Sequence, residues 1–167
     1  MSKVYLDPRR LARRVARLRG RGAAIVLANG CFELLHVGHV RYLEAAKALG
    51  DVLIVAVNTD ESIRLIKPDR RPVNPDRERF EIVAGLGAVD YVVPLSERTP
   101  ASLIELFRPE IHAKGNDYTL DQIPERALVE SLGGRVALVG GPKRRSTTEM
   151  LRSIRLTPAA SPMGMVR

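Results

Sequence analysis

The stretch from residue 23 to residue 50 leaves few folds open. Ala23-Ala24-Ile25-Val26-Leu27-Ala28 is a continuous apolar run, the pattern of a strand covered on both faces of a parallel sheet. Val40-Arg41-Tyr42-Leu43-Glu44-Ala45-Ala46-Lys47-Ala48-Leu49-Gly50 then reads as a helix closed by glycine. Between them lies Asn29-Gly30-Cys31-Phe32-Glu33-Leu34-Leu35-His36-Val37-Gly38-His39. A strand that passes through a short polar segment into a helix is the unit of an open α/β sheet, and the strand's carboxyl end is where such sheets bind ligands. The helix start adds backbone N–H groups and the positive end of a dipole, which favour a phosphate.

The histidine spacing has a physical consequence. With a helix beginning near Val37, His36 and His39 lie about one turn apart and can face the same anion. Gly38 between them, and Gly30 at the strand end, carry no side chain and let the backbone approach a phosphate closely. Each imidazole can donate a hydrogen bond to a phosphate oxygen, neutral or protonated. A single histidine here would read as a packed or capping residue. The pair at this junction favours ligand binding.

Strand and helix alternate along the rest of the chain. Leu11, Val15 and Leu18 form an apolar stripe on a leading amphipathic helix. A second strand covers residues 52–57, ends at Asn58-Thr59-Asp60, and precedes a short helix over 61–66. The proline-rich residues 67–75 read as a loop. A helix over 76–86 follows, then a strand over 91–94. A helix starts at Thr99-Pro100, with proline near its first position. A strand covers 111–114, a partly helical segment 121–132, and a last strand 135–139. Ser146 or Thr147 caps a final helix running to residue 155. The expected fold is α/β: a Rossmann-like, doubly wound parallel sheet of five strands. Residues 1–157 form a single domain, and 158–167 a disordered tail. Neither GxGxxG nor GxxxxGK[ST] is present, and Gly85-x-Gly87 ends a helix instead of opening one.

A single cysteine excludes an intramolecular disulfide and fits a reducing cytosol. Cys31 reads as a small packed residue beside the site. No apolar run reaches the ~20 residues that span a bilayer, and the N-terminus lacks a signal-peptide core, so a soluble cytoplasmic protein without membrane contact is expected. The formal charge is +8, and 22 of the 27 basic residues are arginine, seven of them between Arg9 and Arg21. A nucleic-acid or membrane surface is one reading of that helix. A solvated arginine-rich face is the favoured one, because aromatics are only 4% and no nucleic-acid motif accompanies the charge.

The motif His36-Val37-Gly38-His39 after Gly30-Cys31-Phe32 resembles the HxGH signature of the nucleotidyltransferase superfamily, the cytidylyltransferase-like proteins. Further segments narrow the resemblance. They are Asn29-Gly30-Cys31-Phe32, the run from Gly50 to Asp60, Arg71-Pro72-Val73, Val89-Asp90-Tyr91-Val92-Val93, Lys114-Gly115-Asn116-Asp117-Tyr118 and Ser146-Thr147-Thr148. In this order and spacing they are similar to the D-glycero-D-manno-heptose 1-phosphate adenylyltransferases, over about residues 8 to 155. In many bacteria that activity is fused to a sugar kinase.

The resemblance implies transfer of AMP from ATP to a heptose 1-phosphate, giving ADP-heptose and pyrophosphate. It implies His36, His39 and Lys67 as catalytic residues. It implies nucleotide contacts from Asn29, Gly30, Cys31, Phe32, Gly38, Lys114, Gly115, Asn116, Asp117, Arg145, Ser146, Thr147 and Thr148. Asn58, Asp60, Arg71 and Arg79 fall to the acceptor, with Arg79 alternatively a helix-surface residue. No all-protein metal cage is expected; Mg²⁺ would arrive with the triphosphate. Expected partners are ATP, a sugar 1-phosphate and a separate upstream sugar kinase, with assembly as a homo-oligomer, a dimer. Three positions depart from the family pattern. Glu33 stands where aspartate is commoner, Asn116 replaces a glycine and could take φ > 0, and Arg145 precedes Ser146 where glycine is usual. His112 reads as a strand residue, not a metal ligand. Two other readings remain open: a cytidylyltransferase acting on glycerol 3-phosphate or a similar alcohol phosphate, and a basic nucleic-acid-binding module with a vestigial site.

Overall fold

Two patterns build the molecule: strands apolar on both faces at the centre of the sheet, and helices whose apolar stripes cover each face of that sheet. The computed structural model describes residues 3–67, 72–116, 118–141 and 150. In chain order the described elements are α1 (Pro8–Arg19), β1 (Ile25–Gly30), α2 (Val37–Lys47), β2 (Val52–Asn58), α3 (Asp60–Ile66), α4 (Asp76–Ala84), β3 (Tyr91–Leu95), α5 (Ala101–Phe107), β4 (Ile111–Gly115), a 3₁₀ turn (Leu120–Gln122), α6 (Arg126–Ser131) and β5 (Arg135–Val139). The five described strands pair in the order β3-β2-β1-β4-β5, all parallel.

One face of the sheet presents Val26, Ala28, Leu53, Val55, Val57 and Val92 to Leu43 and Ala46 of α2 and to Phe80 and Val83 of α4. The other presents Ile25, Leu27, Ile54, Ala56 and Val93 to Leu11 and Val15 of α1, to Leu103, Ile104 and Phe107 of α5, and to Val129 of α6. This is the doubly wound arrangement, and it explains why β1 and β2 read as unbroken apolar runs. The stripe on α1 packs as its spacing predicts: Leu11 and Val15 are buried.

Several boundaries differ from the sequence reading, each for a local reason. Gly50 does not close α2. That helix ends at Lys47 with Ala48 as its cap. Gly50 is needed for space instead, because a Cβ there would stand 2.8 Å from Val26 Cγ2 and 2.9 Å from the Ala24 carbonyl. Pro100 is the N-cap residue of α5, not its first helical position. The segment 121–132 splits into the 3₁₀ turn and α6, with Pro124 between them, which cannot donate the hydrogen bond a continuous helix needs. The N-terminal segment adds an unforeseen bridge to the sheet edge, with Val92 donating to Lys3 O at 2.9 Å and Tyr5 to Val92 O at 2.9 Å. The final helix and the tail lie outside the described residues.

His112 on β4 is fully buried. Its neighbours Ile111 and Ala113 face the α2 side, so the alternation of the strand turns His112 to the α1 side. Its Nδ1 lies 3.2 Å from the Leu27 carbonyl, and its Nε2 has no hydrogen-bond partner among the described residues. Burial, reinforced by the nearby Lys114 charge, pushes the imidazole down to about 3. The unfolded chain takes up this proton near pH 6.5, whereas the folded protein stays neutral to about pH 3. Between those values the unfolded state binds the extra proton, so stability is highest above that window and falls as the pH drops through it. The urea midpoint is expected to decline there by the equivalent of up to about 1.4 kcal/mol per pH unit. His112→Asn should remove that part of the slope. An unchanged slope in the variant would show that another group sets it.

Candidate active site

In the observed strand order, β1 and β4 are the neighbours whose onward connections leave to opposite faces of the sheet. A crevice opens at the carboxyl ends of two such strands. From β1 the chain delivers Asn29 and Gly30, then the loop carrying Cys31, Phe32 and Glu33, then His36 at the start of α2. From β4 it delivers Lys114, Gly115 and Asn116. From β2 comes Asn58, Asp60 opens α3, and Lys67 follows at the end of that helix.

His36 is the N-cap residue of α2, in extended conformation, and its Nδ1 accepts a hydrogen bond from the Gly38 N–H at 3.1 Å. A ring nitrogen that accepts carries no proton, so neutral His36 holds its proton on Nε2 and can donate from there. The His36 and His39 rings stack, with centroids 3.9 Å apart and an interplanar angle of 22°. The ring of Phe32 lies beside His39, centroids 5.2 Å apart. Phe32 is buried and holds φ = 49°, a left-handed conformation that is strained for a bulky side chain.

Both glycines of the loop are filled by these rings. A Cβ on Gly30 would stand 3.0 and 3.1 Å from Phe32 ring atoms, and a Cβ on Gly38 would stand 2.9 Å from His36 Nδ1 and Cε1. Their missing side chains therefore make room for aromatic rings of the same loop, a use that the phosphate-approach argument did not anticipate.

Charge surrounds the crevice in an ordered way. Lys114 Nζ reaches across it to Asn29 Oδ1 at 3.3 Å and lies 5.3 Å from the centre of the Tyr118 ring. Lys67 Nζ lies 3.5 Å from Glu33 Oε2, and the Glu33 side chain is only 1% exposed. The departure from aspartate thus places a carboxylate against the lysine expected to reach phosphate. Cys31 is half-buried, its Sγ 3.7 Å from Asn58 Oδ1. Asn58 is buried and donates through Nδ2 to Ser62 Oγ at 3.1 Å. Asn116 is not at positive φ, contrary to the sequence argument. Its side chain donates to the Gly140 carbonyl, and Gly140 takes the left-handed position at φ = 87°.

Arg79 is not on the helix surface. Its side chain is fully buried. Nη1 donates to the carbonyls of Cys31 and Asn58, both at 2.6 Å, Nε to the Asn74 carbonyl at 3.0 Å, and Nη2 to Asp60 Oδ1 at 2.8 Å. Two further anchors carried no sequence signal. Tyr42 Oη donates to the Ala113 carbonyl at 2.8 Å, tying α2 to β4, and Asn74 Nδ2 donates to the Glu33 carbonyl at 3.0 Å. Neither could be found without knowing which segments meet. Arg71, Asp117, Arg145, Ser146, Thr147 and Thr148 lie outside the described residues.

The donors gathered here are imidazoles, ammonium groups and amides, a set that suits an anion. Among the described residues no group of three or more His, Cys, Asp or Glu side chains converges to hold a metal ion. No described helix is long and apolar enough to cross a membrane.

A parallel sheet in this order, with a stacked histidine pair at the helix start beside the β1–β4 crevice, defines a Rossmann-like protein of the HxGH class. The chain belongs to the cytidylyltransferase-like family, whose model matches residues 27–157. It is 48% identical over 144 residues to the bifunctional protein HldE of Geobacter sulfurreducens, covering 86% of this chain and 29% of that protein. It is 48% identical over 145 residues to the protein of the same name from Vibrio atlanticus, covering 87% of this chain and 30% of that one. The chain thus spans about three-tenths of the length of these relatives. A crystal structure described as the lipopolysaccharide core biosynthesis protein from Thermoplasma volcanium superposes with a TM-score of 0.60 at 30% identity, covering 71% of this chain and 95% of that one.

Proposed function

We propose that the protein is an adenylyltransferase that moves AMP from ATP to a heptose 1-phosphate, releasing pyrophosphate and ADP-heptose. The observation that carries this reading is the stacked His36–His39 pair at the mouth of the β1–β4 crevice, with Nδ1 of His36 fixed by the Gly38 N–H. Its similarity to the HldE proteins and to a lipopolysaccharide core biosynthesis protein supports the choice of acceptor.

The chemistry requires little of a base. A sugar phosphate is already ionised, and its oxygen attacks the α-phosphorus in line with the departing pyrophosphate. Charge builds on the α-phosphate oxygens and on the leaving group, so positioning and electrostatic stabilisation dominate. His36 donates from Nε2 to an α-phosphate oxygen, and His39, stacked on it, serves a neighbouring oxygen. Lys67, steered by Glu33, neutralises phosphate charge. Lys114, Asn29 and Gly115 line the nucleotide side of the crevice. The family resemblance assigns further nucleotide contacts to Asp117, Arg145, Ser146, Thr147 and Thr148, and acceptor contacts to Asn58 and Arg71. Mg²⁺ bound to the triphosphate would supply further charge neutralisation, and the nitrogen-rich donor set fits a metal brought by the nucleotide. A separate sugar kinase upstream in the supply of the acceptor, assembly as a homodimer and a cytoplasmic location belong to the same reading.

The test is pyrophosphate release with Mg²⁺, crossing ATP and CTP against heptose 1-phosphate and glycerol 3-phosphate. Turnover confined to ATP with heptose 1-phosphate is the expected result. Turnover with CTP and glycerol 3-phosphate would keep the mechanism and overturn the assigned substrates. A folded protein that turns over no pair would overturn the enzyme reading.

A further inference from the structure

We infer that Arg79 is the positioning residue of the histidine loop, acting through the peptide between Cys31 and Phe32 and not on the substrate. The inference rests on the reading of this site as a nucleotidyl-transfer centre.

A guanidinium with no exposed surface is costly unless its N–H groups are matched. Four of the five donors of Arg79 are matched, to Cys31 O, Asn58 O, Asn74 O and Asp60 Oδ1. These acceptors sit on the segment after β1, at the end of β2, at the start of α3 and just before α4. One cation therefore gathers the loops on the β1–β2 side of the crevice. With its side chain 0% exposed, it offers no surface for a substrate to reach.

The bond to Cys31 O has a consequence for the histidines. That carbonyl belongs to the peptide preceding Phe32, and the orientation of this peptide sets φ of Phe32. Phe32 is held at φ = 49°. A bulky residue leaves that region when nothing retains it. The charge-assisted bond at 2.6 Å retains it. Only in this conformation does the Phe32 ring occupy the space over Gly30 and lie beside His39, 5.2 Å between centroids. His39 in turn stacks on His36. The order of dependence runs from Arg79 to the 31–32 peptide, then to the Phe32 ring, then to the imidazole pair.

Arg79→Lys keeps the charge but cannot reach four acceptors. It is expected to lower kcat about a hundredfold while KM for both substrates stays within about threefold, the pattern of misplaced catalytic groups. The chain contains three histidines, and His112 lies in the opposite layer as an internal control. In the variant, the imidazole Hε1 resonances of His36 and His39 should shift or broaden while that of His112 stays. A raised KM for the sugar phosphate with unchanged kcat would make Arg79 a substrate contact and overturn the inference. A lower melting temperature with unchanged kinetics and unchanged histidine resonances would overturn it as well. If the wild-type protein itself shows no turnover, the functional reading fails separately, and the histidine spectrum alone decides the role of Arg79. Should Arg79→Lys not fold, Asp60→Ala removes one of the four bonds; it should give the same histidine shifts with a loss in kcat of about tenfold. Unmoved His36 and His39 resonances there would overturn the inference.

Discussion

Replacing His36 or His39 by alanine is expected to lower kcat by about 10²–10³-fold, the scale seen when one donor to developing charge is removed. ATP affinity, measured by calorimetry, should change little. The pair serves charge that appears on the α-phosphate in the transition state, whereas the ground-state triphosphate is held by many groups along the crevice. The two positions differ in one respect. His36 also caps α2 through Nδ1. Alanine at 36 should therefore cost about 1 kcal/mol of stability in addition. His36→Asn separates the roles, since asparagine is a strong N-cap residue but cannot place a donor where Nε2 stood. It should restore the melting temperature and leave kcat low. Equal loss of ATP binding, with unchanged turnover at saturation, would remove both histidines from the transition state.

Gly38→Ala carries the second large effect, and here activity and stability should part. The new Cβ would lie 2.9 Å from two atoms of the His36 ring. That ring is the end of a flexible side chain, so it can swing away at small energetic cost. Losing the cap costs about 1 kcal/mol. Alanine in place of glycine inside a helix returns about the same amount. The melting temperature should barely move. The displaced ring, however, carries Nε2 with it and breaks the stack on His39, so kcat is expected to fall about a hundredfold. Paired thermal melts and steady-state kinetics check this. A variant of wild-type activity would show that the ring position seen here is not the one used in turnover.

Much of the fold was readable because parallel strands are covered on both faces and so announce themselves as apolar runs. β1, β2 and β5 fell within a residue or two of their expected limits, and α1 packed on its predicted stripe. The misreadings cluster at chain reversals. Gly50 is demanded by the Ala24 carbonyl and by Val26 on β1, contacts that no local rule for helix ends contains. The histidine pair was legible because motif and strand–helix junction coincide in one short stretch. The environment of Arg79 was not, because its four acceptors come from segments up to 48 residues away in sequence.

The sequence by itself determined the class of fold, the edge of the sheet that carries the candidate site and the residue types offered there, since each depends on local periodicity or on a contiguous motif. Only the tertiary structure decided how the Arg79 guanidinium is buried and matched, why Phe32 is held left-handed, and which carboxylate faces Lys67. Those outcomes depend on distances between segments remote along the chain, and backbone carbonyls, which carry no sequence identity, make most of the contacts that settle them.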